Sequence, residues 1–327
     1  MIKIRIQNEK GLTEAEAVSR HCWIDARHVS KEDLFRLESE FGIAGDLLTD
    51  IMDMDEQARI EKEDEYTAII VRLPMLDESA EVSFFTLPLG IILFADKIVT
   101  VCSRSSDALD DILRNRVRGF SIRNKSTFVL YLLGRGAFTY LKFLKELNKR
   151  TNIIKDELQK SIRNNELIQL LSIQKSLVFF TTSITSNELL LEKLQKSPLI
   201  RFKEDEKELL EDVVIENKQA IGMANIYSSI LTGTMDAFAS VISNNLNIVM
   251  KRLTIVSIVL MIPTLIYSFF GMNVALPFAG HLHAAVAIIM VSLLFSALGA
   301  ILLNTDRQKK IRLPPGGTKR RAAGRKK

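Results

Sequence analysis

Gly271-Met272-Asn273, closing an uncharged apolar run, is the stretch of this sequence best suited to chemistry with an ion. A glycine suits the C′ position after a helix, where positive φ carries no Cβ clash. The last carbonyls of such a helix are unpaired and hold the negative end of its dipole, so they attract cations. Asn273 adds a neutral amide oxygen. A ring of neutral oxygens can hydrogen-bond the water shell of a small divalent ion without stripping it, and Mg2+ dehydrates reluctantly. Three residues alone make a weak signal; their position in the chain gives it weight.

That position is set by two apolar helices. Leu253–Phe270 is 18 residues without a charge, and Ala284–Leu303 is 20. Each is long enough for about 30 Å of hydrocarbon. The bland alternative, two buried core helices of a soluble protein, fits poorly with adjoining runs that both have basic flanks. Lys251-Arg252 precede the first, and Arg307, Lys309, Lys310 and Arg312 follow the second, while the loop 271–283 has neither Lys nor Arg. The excess of positive charge on one side places both termini in the cytosol and the loop outside a cell membrane. The expected arrangement is therefore multi-pass.

Charge is uneven along the 327 residues. Residues 304–327 hold ten Lys/Arg and one acid, so of the net +5 they carry +9 and leave residues 1–303 at −4. The high pI belongs to the tail. A mildly acidic body argues against nucleic-acid binding, and a basic tail beside a cytosolic membrane face suits anionic lipid. Cys22 and Cys102 read as free thiols in a reducing compartment. The alternating Met1–Ile6 start is strand-like, not a secretory signal.

Residues 204–270 contain one proline, Pro263, and two glycines, Gly222 and Gly233. As one helix these 67 residues would run ~100 Å at 1.5 Å per residue. Leu210, Val213, Ala224, Tyr227, Leu231, Met235, Phe238, Ile242, Leu246 and Val249 form an apolar seam. A second line of small and polar residues, Ser229, Gly233, Asp236, Ser240, Ser243 and Asn247, steps by four and three, the period of one helix face. Asn247 before the first apolar run, and Thr254, Met261 and Ser268 inside it, recur every seven residues and stay near one face. Ser and Thr in such helices commonly satisfy their own backbone, yet one face extending from Asp236 to Ser268 suggests a water-accessible axis.

Upstream, residues 1–104 read as a sheet domain. Strands are expected at 2–7, 23–25, 66–75, 81–86, 89–95 and 98–102, with a hairpin at Asp96-Lys97. Ser30 with Asp33 resembles a capping box opening a helix to about Phe41. Residues 105–203 read as long helices (106–116, 126–148 and 157–197) that complete the soluble part. The segments then run 204–270 with a first crossing at 253–270, a loop 271–283, a second crossing 284–303 and the tail 304–327.

Weaker signals need a bland reading beside them. His21-Cys22 with His28 has ligand types, but neighbours in a strand point apart. Asp50, Asp53, Asp55 and Glu56 read as a solvated turn. His281 and His283 read first as an interfacial pair, with transition-metal ligands as the alternative. No phosphate-binding glycine loop or nucleophile–base constellation occurs in the sequence, so neither an ATP-driven pump nor an enzyme is expected.

A long charged helix, then two C-terminal spans with Gly-Met-Asn after the first, resembles the CorA family of magnesium channels, over the chain to about residue 312. The residues that carry it are Asn247 to Thr254 at the start of the first span, Met261 to Thr264 within it and Phe270 to Asn273 at its mouth. The resemblance implies an α+β membrane protein assembled as a homopentameric channel. It has an N-terminal cytosolic α/β sheet domain, a long helical stalk or funnel and two C-terminal transmembrane helices. It implies a selectivity filter at Gly271, Met272 and Asn273, and pore-lining positions Asp236, Asn247, Met250, Leu253, Met261, Thr264 and Ser268. Met250 and Leu253 would be the hydrophobic constriction, closing by dewetting. Asp212 resembles a ligand of a regulatory cytosolic magnesium site, with Asp77 of a neighbouring subunit as its proposed partner. Mg2+ is thus expected both as cargo and as regulator. Three departures stand out. Phe270 replaces the usual tyrosine, Pro263 lies one position later than usual, and the outer loop lacks the acid of many members.

The expected function is passive uptake of Mg2+, with Co2+ and Ni2+ as further cargo, gated by cytosolic Mg2+. A zinc transporter of the same superfamily is the alternative, and a membrane-anchored coiled scaffold or sensor is the alternative of another class.

Overall fold

The computed structural model describes residues 1–8, 11–114, 120–160, 164–197, 199–200, 202–272 and 283–305. The chain divides into two compact units, Met1–Phe238 and Ala239–Lys327.

The first unit is built on one sheet. Strands β1 (Ile2–Asn8), β2 (Gly11–Ala15), β3 (Cys22–Arg27), β4 (Arg59–Lys62), β5 (Tyr66–Leu76), β6 (Phe84–Phe94) and β7 (Lys97–Cys102) lie in the order β2-β1-β3-β7-β6-β5-β4. Only the β3–β7 pair is parallel. The expected runs 81–86 and 89–95 are one strand, β6, with Pro88 inside it. β7 pairs with β6 only over Leu89 to Leu93, so the missing amide of Pro88 faces no ladder partner on that side. The expected β6–β7 hairpin forms, turning at Ala95-Asp96, one residue earlier than Asp96-Lys97. β2 and β4 carry too little apolar alternation to be foreseen.

Alternation along the central strands feeds two cores. Trp23, Ile69, Val71, Leu73, Leu89 and Ile91 face one side; Ile24, Ala68, Ile70, Ile92, Val99 and Val101 face the other. The second face is covered by α1 (Lys31–Phe41) and α2 (Gly45–Met52). At α1 the capping box forms as expected: Asp33 N–H donates to Ser30 Oγ and Ser30 N–H to Asp33 Oδ2, both 3.1 Å. Gly42 ends α1 at φ 70°. α2 lies so close to β6 that a Cβ on Gly90 would sit 2.2 Å from Ile51 Cδ1, so only glycine fits there.

The first face is covered by α3 (Asp107–Leu113), α4 (Lys125–Lys160), α5 (Asn164–Lys196) and the start of α6 (Glu204–Phe270). α4 runs well past the expected end at 148, because Ile154 and Leu158 continue its buried stripe. The expected helix 106–116 is α3; its last two residues lie outside the described ones.

Among the described residues three helices are long and apolar enough to cross a membrane: Asn164–Lys196, Glu204–Phe270 and Ala285–Leu303. The first was not expected as a span. Leu170, Leu177, Phe180 and Ile184 of α5 are buried against α4 and the first part of α6. Ser183 and Asn187 hydrogen-bond Arg72 of β5. The apolar side of α5 is thus already spent on the sheet unit.

The start of α6 is tied down by a buried acid. Glu206, 3% exposed, accepts from Lys203 N–H at 2.8 Å, from Asn124 Nδ2, and from Ser126 and Thr127 hydroxyls at 2.9 and 3.0 Å. These donors sit at the N-termini of α4 and α6. Burial pushes the Glu206 carboxyl up, but the four donors outweigh it and the group lies below the usual glutamate range. Its contribution to stability is present above the unfolded-state pKa and lost as pH falls through the lowered folded value. Glu206→Gln is expected to cost about 1–2 kcal/mol at neutral pH and to flatten the acid limb of the stability curve. Denaturation at several pH values checks this; an unchanged acid slope would refute it.

The second unit holds the rest of α6 and α7 (Ala284–Thr305).

Candidate functional site

In the second unit the two apolar helices meet along one face of each. Ser292 of α7 is fully buried and its Oγ lies 2.9 Å from Tyr267 Oη. Ser296 Oγ donates toward the Val259 carbonyl at 3.4 Å. A Cβ on Gly299 would come within 3.1 Å of Ile262 Cδ1. Small side chains at 292, 296 and 299 let the helices approach closely. Within residues 253–270 of α6, Ile255, Val259, Ile262, Pro263 and Ile266 are the partly covered positions.

Every expected pore-lining residue of this unit lies away from that contact. Asn247, Met250, Leu253, Met261, Thr264 and Ser268 are exposed, as is Thr254 on the same line. By the 3.6-residue period most of them fall close to the side of α6 opposite Val259 and Ile262. The hydroxyls along α6 bond back to their own helix. Thr254 donates to Met250 O at 2.9 Å, Ser257 to Leu253 O at 3.0 Å and Thr264 to Leu260 O at 2.9 Å. The proton is spent inward, so each oxygen keeps its lone pairs turned out. The backbone-satisfying reading and a cation-facing role are therefore compatible.

α6 ends as expected at Phe270, though not in the expected way. Gly271 does not take a left-handed φ; among the described residues Gly11 and Gly42 are the glycines that do. Instead Gly271 N–H continues to Tyr267 O at 2.9 Å and Met272 N–H tightens to Phe269 O at 3.4 Å. A Cβ on Gly271 would stand 3.2 Å from Tyr267 O, a tight contact that a shift of a few tenths of an ångström relieves. Asn273, the loop with His281 and the basic tail lie outside the described residues.

In the first unit the apolar seam of α6 holds through Phe238: Leu210, Val213, Ala224 and Leu231 are buried, while Ser229, Gly233 and Asp236 are exposed. Asp212 is exposed one helical turn before half-buried Glu216. Burial, then the Asp212 charge, push the Glu216 carboxyl up, and Arg135 opposes them. Glu216 does not stand out in the sequence, where its i+4 spacing from Asp212 is the only signal that points to it. Asp77 is already engaged. Its Oδ1 accepts from Ser79 N–H at 3.0 Å and Ser79 Oγ at 2.5 Å, and its Oδ2 accepts from Arg104 at 2.8 Å. These bonds to Ser79, then Arg104, hold its carboxyl below the usual range. The acidic turn is likewise paired within the chain: Arg59 bridges Asp50, Glu56 and Glu61. Among the described residues no three His, Cys, Asp or Glu converge on a metal position.

A sheet flanked by helices, one of which continues into a hydroxyl- and methionine-lined apolar pair ending at Gly-Met, defines the class to which the comparisons then give a family. The profile described as CorA-like Mg2+ transporter protein matches residues 18–309, and the chain belongs to that family. It is 27% identical over 267 residues to the cobalt/magnesium transport protein CorA of Methanocaldococcus jannaschii, covering 80% of this chain and 83% of that one. To the protein of the same name from Thermotoga maritima it is 23% identical over 266 residues, 78% and 74% of the two chains. The complete structure of the CorA magnesium transporter from M. jannaschii superposes with a TM-score of 0.79 at 22% identity, over 95% of this chain and 99% of that one.

Proposed function

We propose that the chain is one subunit of a homopentameric, passive divalent-cation channel of the cell membrane, carrying Mg2+ inward, with Co2+ and Ni2+ as further cargo. The observation that carries this reading is the division of α6 around Pro263. α7 covers one face through Ser292, Ser296 and Gly299, and leaves Asn247, Thr254, Met261, Thr264 and Ser268 uncovered on the other. Copies arranged around an axis with α7 outermost would turn that uncovered face inward. Met250 and Leu253 would narrow the path, Asp236 would ring its cytosolic end, and Gly271, Met272 and Asn273 would form the outer filter. Membership in the family and the cobalt/magnesium names of its relatives support the cargo. Both termini are read as cytosolic, with the basic tail against anionic lipid.

Flux into proteoliposomes tests it, with Mg2+, Co2+, Ni2+ and Zn2+ compared with and without a proton gradient. Mg2+ entry that needs no proton gradient is expected. Entry of Zn2+ alone, driven by protons, would replace this reading with the zinc one, and no entry of any ion would leave the scaffold reading.

Gating is proposed to use Asp212 with Asp77 of a neighbouring subunit. Bound Mg2+ would neutralise the facing carboxylates and hold the closed state; its loss would let them repel and loosen the ring. Asp212→Ala is expected to raise the Mg2+ concentration needed to protect the cytosolic part from proteolysis. Arg104→Ala, which frees Asp77 Oδ2, is expected to lower it. Superimposable protection curves for the wild type and both variants would remove this pair from the regulatory role.

A further inference from the structure

In an α-helix the carbonyl of residue i accepts from the amide of residue i+4. Residue 263 is proline, so the Val259 carbonyl has no amide to accept from, and the pyrrolidine ring crowds the same oxygen. In hydrocarbon an unmet carbonyl is costly, and neighbouring helices or Ser/Thr hydroxyls are what relieve it.

Ser296 of α7 stands at that gap. Its Oγ is 2.9 Å from Ser292 O in its own helix and 3.4 Å from Val259 O across the interface, so one hydroxyl proton is shared between the two. Ser296 is 8% exposed. A second tie joins Tyr267 Oη and Ser292 Oγ at 2.9 Å. Val259 lies one turn before Pro263 and Tyr267 one turn after it. Three residues beyond Ser296, Gly299 packs against Ile262. α7 therefore grips α6 on both sides of its proline, through the only two serines it has.

We propose that Ser296 is a positioning residue for the ion path. Its hydroxyl stands in for the amide proton that Pro263 lacks and, with the Tyr267–Ser292 tie, holds α6 against α7 on either side of Pro263. The outer turns of α6, which carry Thr264 and Ser268 and lead into Gly271, are positioned through those two ties. This rests on reading α6 and α7 as a membrane pair beside a cation path.

The test is a four-protein cycle of full-length protein in nanodiscs: wild type, Ser296→Ala, Pro263→Ala and the double variant. Pro263→Ala returns an amide donor to Val259. Hydrogen exchange of the amides from Thr264 to Phe270 is the main readout, and Mg2+ flux in proteoliposomes the second. Ser296→Ala in the wild-type background is expected to speed exchange roughly threefold to tenfold, the effect of one net hydrogen bond, and to change the flux rate. In the Pro263→Ala background the same replacement is expected to change neither. Equal effects of Ser296→Ala in both backgrounds would overturn the proposal. Should Ser296→Ala alone fail to insert, recovery of the double variant upholds it, and failure of both overturns it. Exchange does not depend on transport. Coupled exchange in a protein that moves no Mg2+ would uphold the hydrogen-bond role and remove the transport reading instead.

Discussion

Asn273→Ala is expected to bring Mg2+ uptake down to background while the protein still inserts and assembles. The side chain removed is small and the helix it follows is complete at Phe270, with Gly271 N–H bonded to Tyr267 O. The described packing of α6 on α7 runs through Val259, Ile262 and Tyr267. What disappears is the ring of neutral amide oxygens that would take the water shell of an arriving ion in place of bulk solvent. Magnesium-starved cells or proteoliposomes give the measurement, with membrane insertion assayed beside it. Uptake equal to wild type would dismiss the filter assignment; lost insertion would turn Asn273 into a structural residue.

The largest effect on folding is expected from Arg72→Met. The Arg72 side chain is nearly buried between β5 and α5, and burial pushes its guanidinium below the usual arginine range. Four hydrogen bonds hold it charged there. Nη1 donates to Met54 O at 2.5 Å and Glu56 O at 2.7 Å, Nη2 to Thr86 Oγ1 at 2.7 Å, and Nε to Ser183 Oγ at 3.2 Å. Methionine keeps much of the volume but takes the donors from the part-buried Met54 and Glu56 carbonyls and the buried Thr86 and Ser183 hydroxyls, and releases the 53–58 turn from the sheet. A loss on the order of 3–5 kcal/mol follows, or roughly 10 °C in Tm for a unit of this size. Chemical or thermal denaturation measures it; a loss under about 1 kcal/mol would show that water replaces the guanidinium without penalty.

The network around Arg72 also marks the limit of what periodicity can reveal. An arginine in an apolar run, Ile70-Val71-Arg72-Leu73, looks like an interruption of a strand. It became the centre of a polar cluster because Ser183 and Asn187, more than a hundred residues later, project from α5 onto the same spot. Glu206 is similar: as one acid among several at the start of α6 it looks solvated, and only the arrival of the α4 N-terminus buries it.

By itself the sequence determined what depends on near neighbours along the chain. The capping box at Ser30 and Asp33, the alternation of β5 and β7, the hairpin at Asp96, the two uncharged runs and their basic flanks are all local patterns. So is the Gly-Met-Asn signature whose family the whole-chain match bears out. Tertiary structure decided which apolar surfaces meet. α5 is as apolar as a membrane crossing, yet it belongs to the sheet unit, because Leu177, Phe180 and Ile184 find partners on α4 and α6 there. Gly271 closes α6 without a left-handed turn, its N–H still bonded to the Tyr267 carbonyl. The gap left by Pro263 was visible in the chain from the start. That Ser296 meets it was not, because hydrogen-bond partners 37 residues apart are chosen by the faces two helices turn to each other, and spacing along the chain carries no record of that choice.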